Sequence, residues 1–184
     1  ALAQHNTLTI PDVTVAKGKT ISLPIYLDNT ADVVALQFTL TVPDGISVNS
    51  SSATLTERSD GHAVVLKNVG SNKYVAMVFS SKNTALKGRT GQIMSVPLTA
   101  SNAVEEGMVY PLTLSDVVIA AHDGSNLATG FSAGKVSVAT SPDLEVSQVK
   151  VKETVVAPQE NISLNWTVAN IGGQPTTAGW LSLI

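Results

Sequence analysis

Residues 130–134 read Gly-Phe-Ser-Ala-Gly, a literal G-x-S-x-G. In α/β-hydrolases that pattern holds a nucleophilic serine on a strand-to-helix turn, with an acid and a histidine later in the chain. Here Lys135–Val138 alternates like a strand, and no histidine follows His122. Ser132 therefore lacks a base, and the segment reads as part of a hairpin. His5, His62 and His122 are far apart and show no zinc-ligand spacing, and two of them adjoin the turns Asp60-Gly61 and Asp123-Gly124. Asp123 to Asn126, and Asp28-Asn29 with Asp32, are rich enough in oxygen to raise calcium, the single cofactor the sequence suggests. Calcium wants roughly six to eight oxygens, and the longer D-x-D-x-D-G pattern is absent, so both read as turns. Glu105 and Glu106 are adjacent on an extended loop and point apart, which does not make the paired carboxylates of a glycosidase. No constellation for catalysis emerges, and the chain reads as non-enzymatic. A sugar platform would need exposed aromatics. Trp166 is in phase with a core face, Trp180 lies in an unfinished strand, and Tyr26, Tyr74 and Tyr110 are scattered.

Such residues must be positioned by a scaffold, and the totals limit what it is. The 184 residues are 43% hydrophobic but only 14% charged and 4% aromatic. Abundant Thr, Ser and Val with few aromatics suits many short strands. The net charge of −3 comes with no basic run, which leaves a nucleic-acid partner without an electrostatic footprint. No apolar run approaches the roughly 18 residues of a membrane span, so membrane insertion is not expected. The absence of cysteine removes disulfides and thiolate chemistry, but does not assign a compartment. Ala1-Leu2-Ala3 before Gln4 reads either as the A-x-A tail of a secretory signal peptide or as a chance tripeptide; residues 1–7 are an N-terminal tail in either case.

The most regular stretch runs from Asn29 to Ile46. Val34, Leu36, Phe38, Leu40 and Val42 alternate with Ala35, Gln37, Thr39 and Thr41, which predicts a strand with one buried and one wet face. Pro43-Asp44-Gly45 ends it with turn chemistry. Around it, Leu8–Val15 is extended and interrupted by Pro11, and Thr20–Leu27 alternates with Ile21, Leu23, Ile25 and Leu27 inward. Ile46–Leu55 is a weaker extended stretch. Asp60-Gly61 and Gly70-Ser71-Asn72 read as hairpin turns, the second joining Ala63–Lys67 to Tyr74–Ser80, where Val75, Met77 and Phe79 share one face. Thr84–Gly91 is a polar connection with room for a helical turn. Gln92–Ala100 and Val109–Ala121 are strands, and Leu127–Phe131 with Lys135–Val138 is expected to form a last hairpin. No window shows a 3.6-residue period. The chain is all-β, with one β-sandwich over residues 8–138.

Composition shifts at residues 139–143, where Ser141-Pro142 reads as a linker. Residues 144–184 start a new strand region, and Ile162, Leu164, Trp166 and Val168 alternate inward. A sandwich of this kind takes about 100 residues, so this segment reads as the front of a second, incomplete β domain. Its strands need a partner, which could be the first domain or a second copy of the chain in a strand-mediated homodimer.

The order of features from Leu8 to Val138 resembles a cohesin-type module. The residues that carry this are Val13 to Gly18, Lys19 to Ile25, the Asn29–Ile46 strand, Val75 to Ser80, Gly91 to Ile93 and Tyr110 to Val118. The resemblance implies a jelly-roll, immunoglobulin-like sandwich whose fold is shared with certain carbohydrate-binding modules. From Ser141 the chain is similar to the start of the bacterial cell-adhesion-related domain (CARDB), on Pro142-Asp143-Leu144, Ile162 to Gly172 and Gly179-Trp180. The combination resembles large surface proteins of Bacteroides-like bacteria. In cohesin modules one sheet face receives a dockerin; the Asn29–Ile46 strand corresponds to that face, which nominates Gln37, Thr39 and Thr41 as partner-binding residues. The expectation is a secreted or cell-surface module for adhesion or protein–protein assembly with a dockerin-like or surface protein. The alternative is a carbohydrate-binding module that holds a polysaccharide.

Overall fold

The computed structural model describes residues 4–142, 144–151, 158, 163–171 and 174–176. The chain divides into two compact units, 1–139 and 140–184. The first unit contains strands β1 (Asn6–Ile10), β2 (Val13–Ala16), β3 (Thr20–Asn29), β4 (Ala35–Thr41), β5 (Ile46–Val48) and β6 (Thr54–Leu55). A 3₁₀ turn at Glu57–Ser59 follows, then β7 (Ala63–Gly70), β8 (Lys73–Phe79), β9 (Gln92–Ala100), β10 (Val109–Pro111), β11 (Thr113–Ala120), β12 (Gly130–Ala133) and β13 (Lys135–Ala139). The unit is all-β.

The strands form a sandwich. A six-stranded sheet runs β12-β1-β3-β9-β5 with β6 also on β9, a four-stranded sheet runs β11-β4-β8-β7, and a three-stranded sheet runs β10-β13-β2. Period-2 alternation builds the core. Leu23, Ile25 and Leu27 of β3, Met94, Val96 and Leu98 of β9, and Leu36, Phe38 and Leu40 of β4 are buried in one apolar cluster with Ala76 and Val78 of β8. The expected inward sets of β3, β4 and β9 are the observed ones.

Three local expectations differ from the structure, each because tertiary contacts override a local signal. The segments 127–131 and 135–138 do not pair as a hairpin. β12 instead lies parallel to β1, and β13 lies parallel to β2. Both chain segments therefore change sheets side by side, the first at Pro11-Asp12 and the second at Gly134. A Cβ on Gly134 would stand 2.4–2.6 Å from atoms of Asp12 and Pro11, so only glycine permits the approach. The Lys135 N–H donates to Asp12 Oδ1 at 2.8 Å and fixes the crossing. Likewise Asp60-Gly61 joins the 3₁₀ turn to β7 rather than two paired strands, and Thr84–Gly91 contains no helical turn. The turn at Ser71-Asn72 does close a hairpin, β7–β8, with positive φ at both residues (50° and 58°) as a two-residue type I′ loop requires.

Two buried polar side chains and an arginine fasten one end of the sandwich. Asn6 is fully buried; its Nδ2 donates to Leu127 O at 3.0 Å, and its Oδ1 accepts from the N–H of Thr30 (3.1 Å) and Ala31 (3.3 Å). Asn29, opposite Asn6 in the β1–β3 register, donates to Ala31 O at 2.6 Å. Arg58 donates from Nε to Lys87 O and from Nη1 to Gly91 O, each at 2.9 Å, and also to Leu27 O and Asn29 Oδ1. Burial pulls its pKa down from the usual guanidinium range, while Asp28 pushes it back up.

The second unit shows β14 (Leu144–Val151) paired antiparallel with β15 (Leu164–Asn170). A bulge at Gln148, with φ of 51°, shifts the register between Ser147 and Lys150. Val146 lies opposite Val168 and Val151 opposite Leu164, so the bulge keeps both pairs on one face despite the odd spacing. Trp166 and Val168 are half-buried, while Leu164 is exposed; Ile162 and Trp180 lie outside the described residues.

Candidate partner-binding face

β4 sits inside its sheet, between β11 and β8, so its outward side chains stand in rows with those of three neighbouring strands. Thr41 lies opposite Thr113 and Lys73. Thr39 lies between Ser115 and Val75, and Val75 is opposite Lys67 on β7. Gln37 lies between Val118 and Met77, and Met77 is opposite Val65. Ala35 lies between Ala120 and Phe79, which is opposite Ala63. The three nominated residues thus share one outer face. They are not equally wet: Gln37 and Thr41 are half-buried, and Thr39 is 8% exposed. A short side chain on an interior strand is covered by its neighbours from both sides, which alternation along one strand cannot report.

The face has an apolar half. Val65 is 52% and Met77 39% exposed, and Val75, Phe79 and Val118 are half-buried around Gln37. These residues were not nominated from sequence. The signal was present in the alternating set Val75, Met77 and Phe79, but β8 carries two apolar sets. The inward one is Tyr74, Ala76 and Val78. The hairpin register decides between them, because Val75 pairs with Lys67 and must share its face. Asp116, with φ of 53°, forms a bulge in β11 that keeps Val117 inward and Val118 outward.

Elsewhere the chemistry-bearing residues are occupied or isolated. Ser132 is exposed on β12 with a strand after it, not a helix. Among the described residues no group of three His, Cys, Asp or Glu could hold a metal ion. Asp32, His122 and Asp123 do line one concavity of about 450 Å³. Asp32 is ion-paired with Arg89 at 2.7 Å, and Asp123 Oδ1 accepts from the Ser125 N–H and hydroxyl. The Ser125 hydroxyl bond holds the Asp123 carboxyl below the usual carboxylate range. These contacts tie Asp123 into its turn and Asp32 into an ion pair. A second concavity of about 550 Å³ is lined by Glu57, Asp60, His62 and Lys87. The unpartnered His62 Nε2 there is itself buried and offers nothing to a solute. Tyr74 is buried and its oxygen accepts from the Val48 N–H, Tyr110 is half-buried, and Tyr26 lies between Thr9 and Gln92 on the opposite sheet. The tyrosines form no platform. No helix among the described residues is long and apolar enough to cross a membrane.

Known proteins resemble the chain over this same sandwich. The family described as "Cohesin domain" matches residues 6–138. Among solved structures, the cohesin CaCohA2 from Clostridium acetobutylicum is 14% identical with a TM-score of 0.61, covering 74% of this chain and 92% of its own. A non-cellulosomal cohesin from Archaeoglobus fulgidus is 15% identical with a TM-score of 0.60, covering 73% and 91%. The sixth cohesin of scaffoldin B from Acetivibrio cellulolyticus, solved with a Cel5 dockerin, is 13% identical with a TM-score of 0.60, covering 73% and 99%. No curated protein matches by sequence. Identities this low speak for the fold alone, whereas the family match spans most of the chain. The chain belongs to the cohesin domain family, whose members are non-catalytic modules of protein–protein assembly.

Proposed function

We propose that this chain is an extracellular assembly module that receives a dockerin-like protein on the outer face of the β11-β4-β8-β7 sheet. The observation that carries the reading is the contiguous apolar half of that face, with Met77 and Val65 exposed around Gln37. Apolar patches of this kind on a polar-rimmed sheet mark protein docking sites. Several structural neighbours are cohesin–dockerin complexes, which supports a dockerin as the partner class. On this reading each nominated residue has a task. Gln37 supplies a donor and an acceptor in the middle of the apolar half, and Thr41 supplies a hydroxyl at the polar end. Thr39, mostly covered, spaces the rows rather than contacting a partner. The second unit we read as the opening of a CARDB-like adhesion domain, on the alternation of Leu164 to Asn170 and the half-buried Trp166.

The test is binding to a panel of recombinant dockerin modules by calorimetry. The wild-type chain is expected to bind at least one member. Met77→Asp puts a charge where docking removes water and should weaken that binding at least about 30-fold, the scale of a hot-spot loss of about 2 kcal/mol. Thermal unfolding should be unchanged, because Met77 is outside the core. Binding unaffected by Met77→Asp would move the partner to another surface, and no binding across the panel would overturn the assignment.

A further inference from the structure

The proposed docking face is electrically lopsided, and the lopsidedness selects a partner. Lys67 on β7 stands opposite Val75, and Lys73 is two residues from Val75 on β8, so both project from the same face at one corner. Diagonal neighbours of this kind lie about 7 Å apart. Both are exposed, and neither takes part in an ion pair among the described residues. Asp44 is the nearby acid at that end, and its Oδ1 is occupied by Asn72 Nδ2 at 2.6 Å. The acid of the face itself, Asp116, sits in the bulge of β11 with its carboxylate bonded by the Ser115 hydroxyl at 3.0 Å. β11 is separated from β7 by β4 and β8, so Asp116 is about 14 Å from Lys67 at the usual strand spacing. Between the two charged ends lie only hydroxyls, Gln37 and apolar side chains.

Resting on the assignment of this face as the docking site, we infer that the partner presents one or more carboxylates to the Lys67–Lys73 corner, beside an apolar stripe seated over Val65, Met77 and Val118. The charge gradient from β7 to β11 then fixes which way round the partner lies. The two lysines carry like charges at diagonal positions of one face and repel each other, and an interposed carboxylate relieves both. Because the lysines are at the rim, the effect falls on association rate and orientation, with the apolar centre supplying most of the hold.

The experiment uses the dockerin modules bound in the panel above and the double variant Lys67→Glu/Lys73→Glu. The expected results are about tenfold weaker binding of the double variant, carried by a slower on-rate, and a wild-type affinity that falls as ionic strength rises. Loss of binding on Met77→Asp, together with affinity within twofold on reversing the lysines and no salt dependence, would overturn the charge inference and leave the docking face standing. Tighter binding of the double variant would overturn it as well, by showing a basic partner. Absence of any binding to the panel, or binding insensitive to Met77→Asp, would remove the face and the inference together. Thermal unfolding of the double variant controls for folding, since both lysines are exposed.

Discussion

Arg58 is the side chain whose removal tests the fold most sharply. It sits on the 3₁₀ turn before β7 and ties that turn to β3 and to the 87–91 segment through four acceptors: Lys87 O, Gly91 O, Leu27 O and Asn29 Oδ1. In Arg58→Met the stem remains and the fork is lost. Gly91 O keeps its bond from the Leu27 N–H at 3.0 Å, so it is not orphaned. Asn29 is 4% exposed, and its Oδ1 has no other bond, so the variant leaves a buried acceptor bare. An orphaned buried acceptor costs about 1–3 kcal/mol, and a lost bond from a charged donor costs about 1.5–3 kcal/mol. Against this stands relief of the desolvation that already depresses the guanidinium pKa. The net expectation is a loss of about 2–4 kcal/mol. All three tyrosines lie in the first unit and both tryptophans in the second. Tyrosine emission during urea unfolding therefore reports the sandwich, and the shift in midpoint at constant slope gives the loss. Arg58→Lys separates the causes. If attraction to Asp28 were the main effect, lysine would restore stability; if the fork is, lysine recovers only about one bond, roughly 1 kcal/mol. A Met variant within 0.5 kcal/mol of wild type, or full recovery by lysine, would refute the reasoning.

Further outcomes are expected. Phe38→Asp buries an unpaired charge at a site 1% exposed and should cost several kcal/mol, seen as loss of the cooperative thermal transition. Gly134→Ala places a methyl against the Pro11-Asp12 backbone and should cost about 1–3 kcal/mol, with the largest amide shifts in β1 and β12. The Lys87 hydrogen bond and charge hold the Asp60 carboxyl below the usual carboxylate range. A depressed folded pKa stabilises above the unfolded value near 4, and the contribution is lost as pH falls through the folded pKa. Lys87→Ala should therefore raise the Asp60 pKa in a carbon-detected NMR titration, and salt should narrow the difference, because the pair is solvent-exposed.

The sequence and the structure divide the explanation at an identifiable place. Alternation in Val34–Val42, Thr20–Leu27 and Gln92–Ala100 was legible because successive side chains of a strand point to opposite faces whatever its neighbours are. The type I′ turn at Ser71-Asn72 was legible as a turn from Gly70-Ser71-Asn72, since the preference is local. What lay beyond reach were relations between distant segments. The parallel pairings of β1 with β12 and β2 with β13 join residues more than a hundred positions apart, and no local period encodes them. Gly134 reads locally as hairpin punctuation, and only the approach of Pro11-Asp12 from the other end of the chain gives the glycine its role. Arg58 carried no motif, because its partners are mostly backbone carbonyls that any residue could supply.

The same division runs through the candidate face. By itself the sequence determined that Gln37, Thr39 and Thr41 share one side of a strand, and that Val75, Met77 and Phe79 share one side of another. Tertiary structure decided that these two sides are the same surface, that Val65 and Val118 extend it, and that Lys67 and Lys73 meet at its corner. It also decided that Thr39 is covered while Met77 is not. The reason is physical: alternation fixes which side chains go together along a strand, but whether that side meets water depends on what the rest of the chain packs beside it.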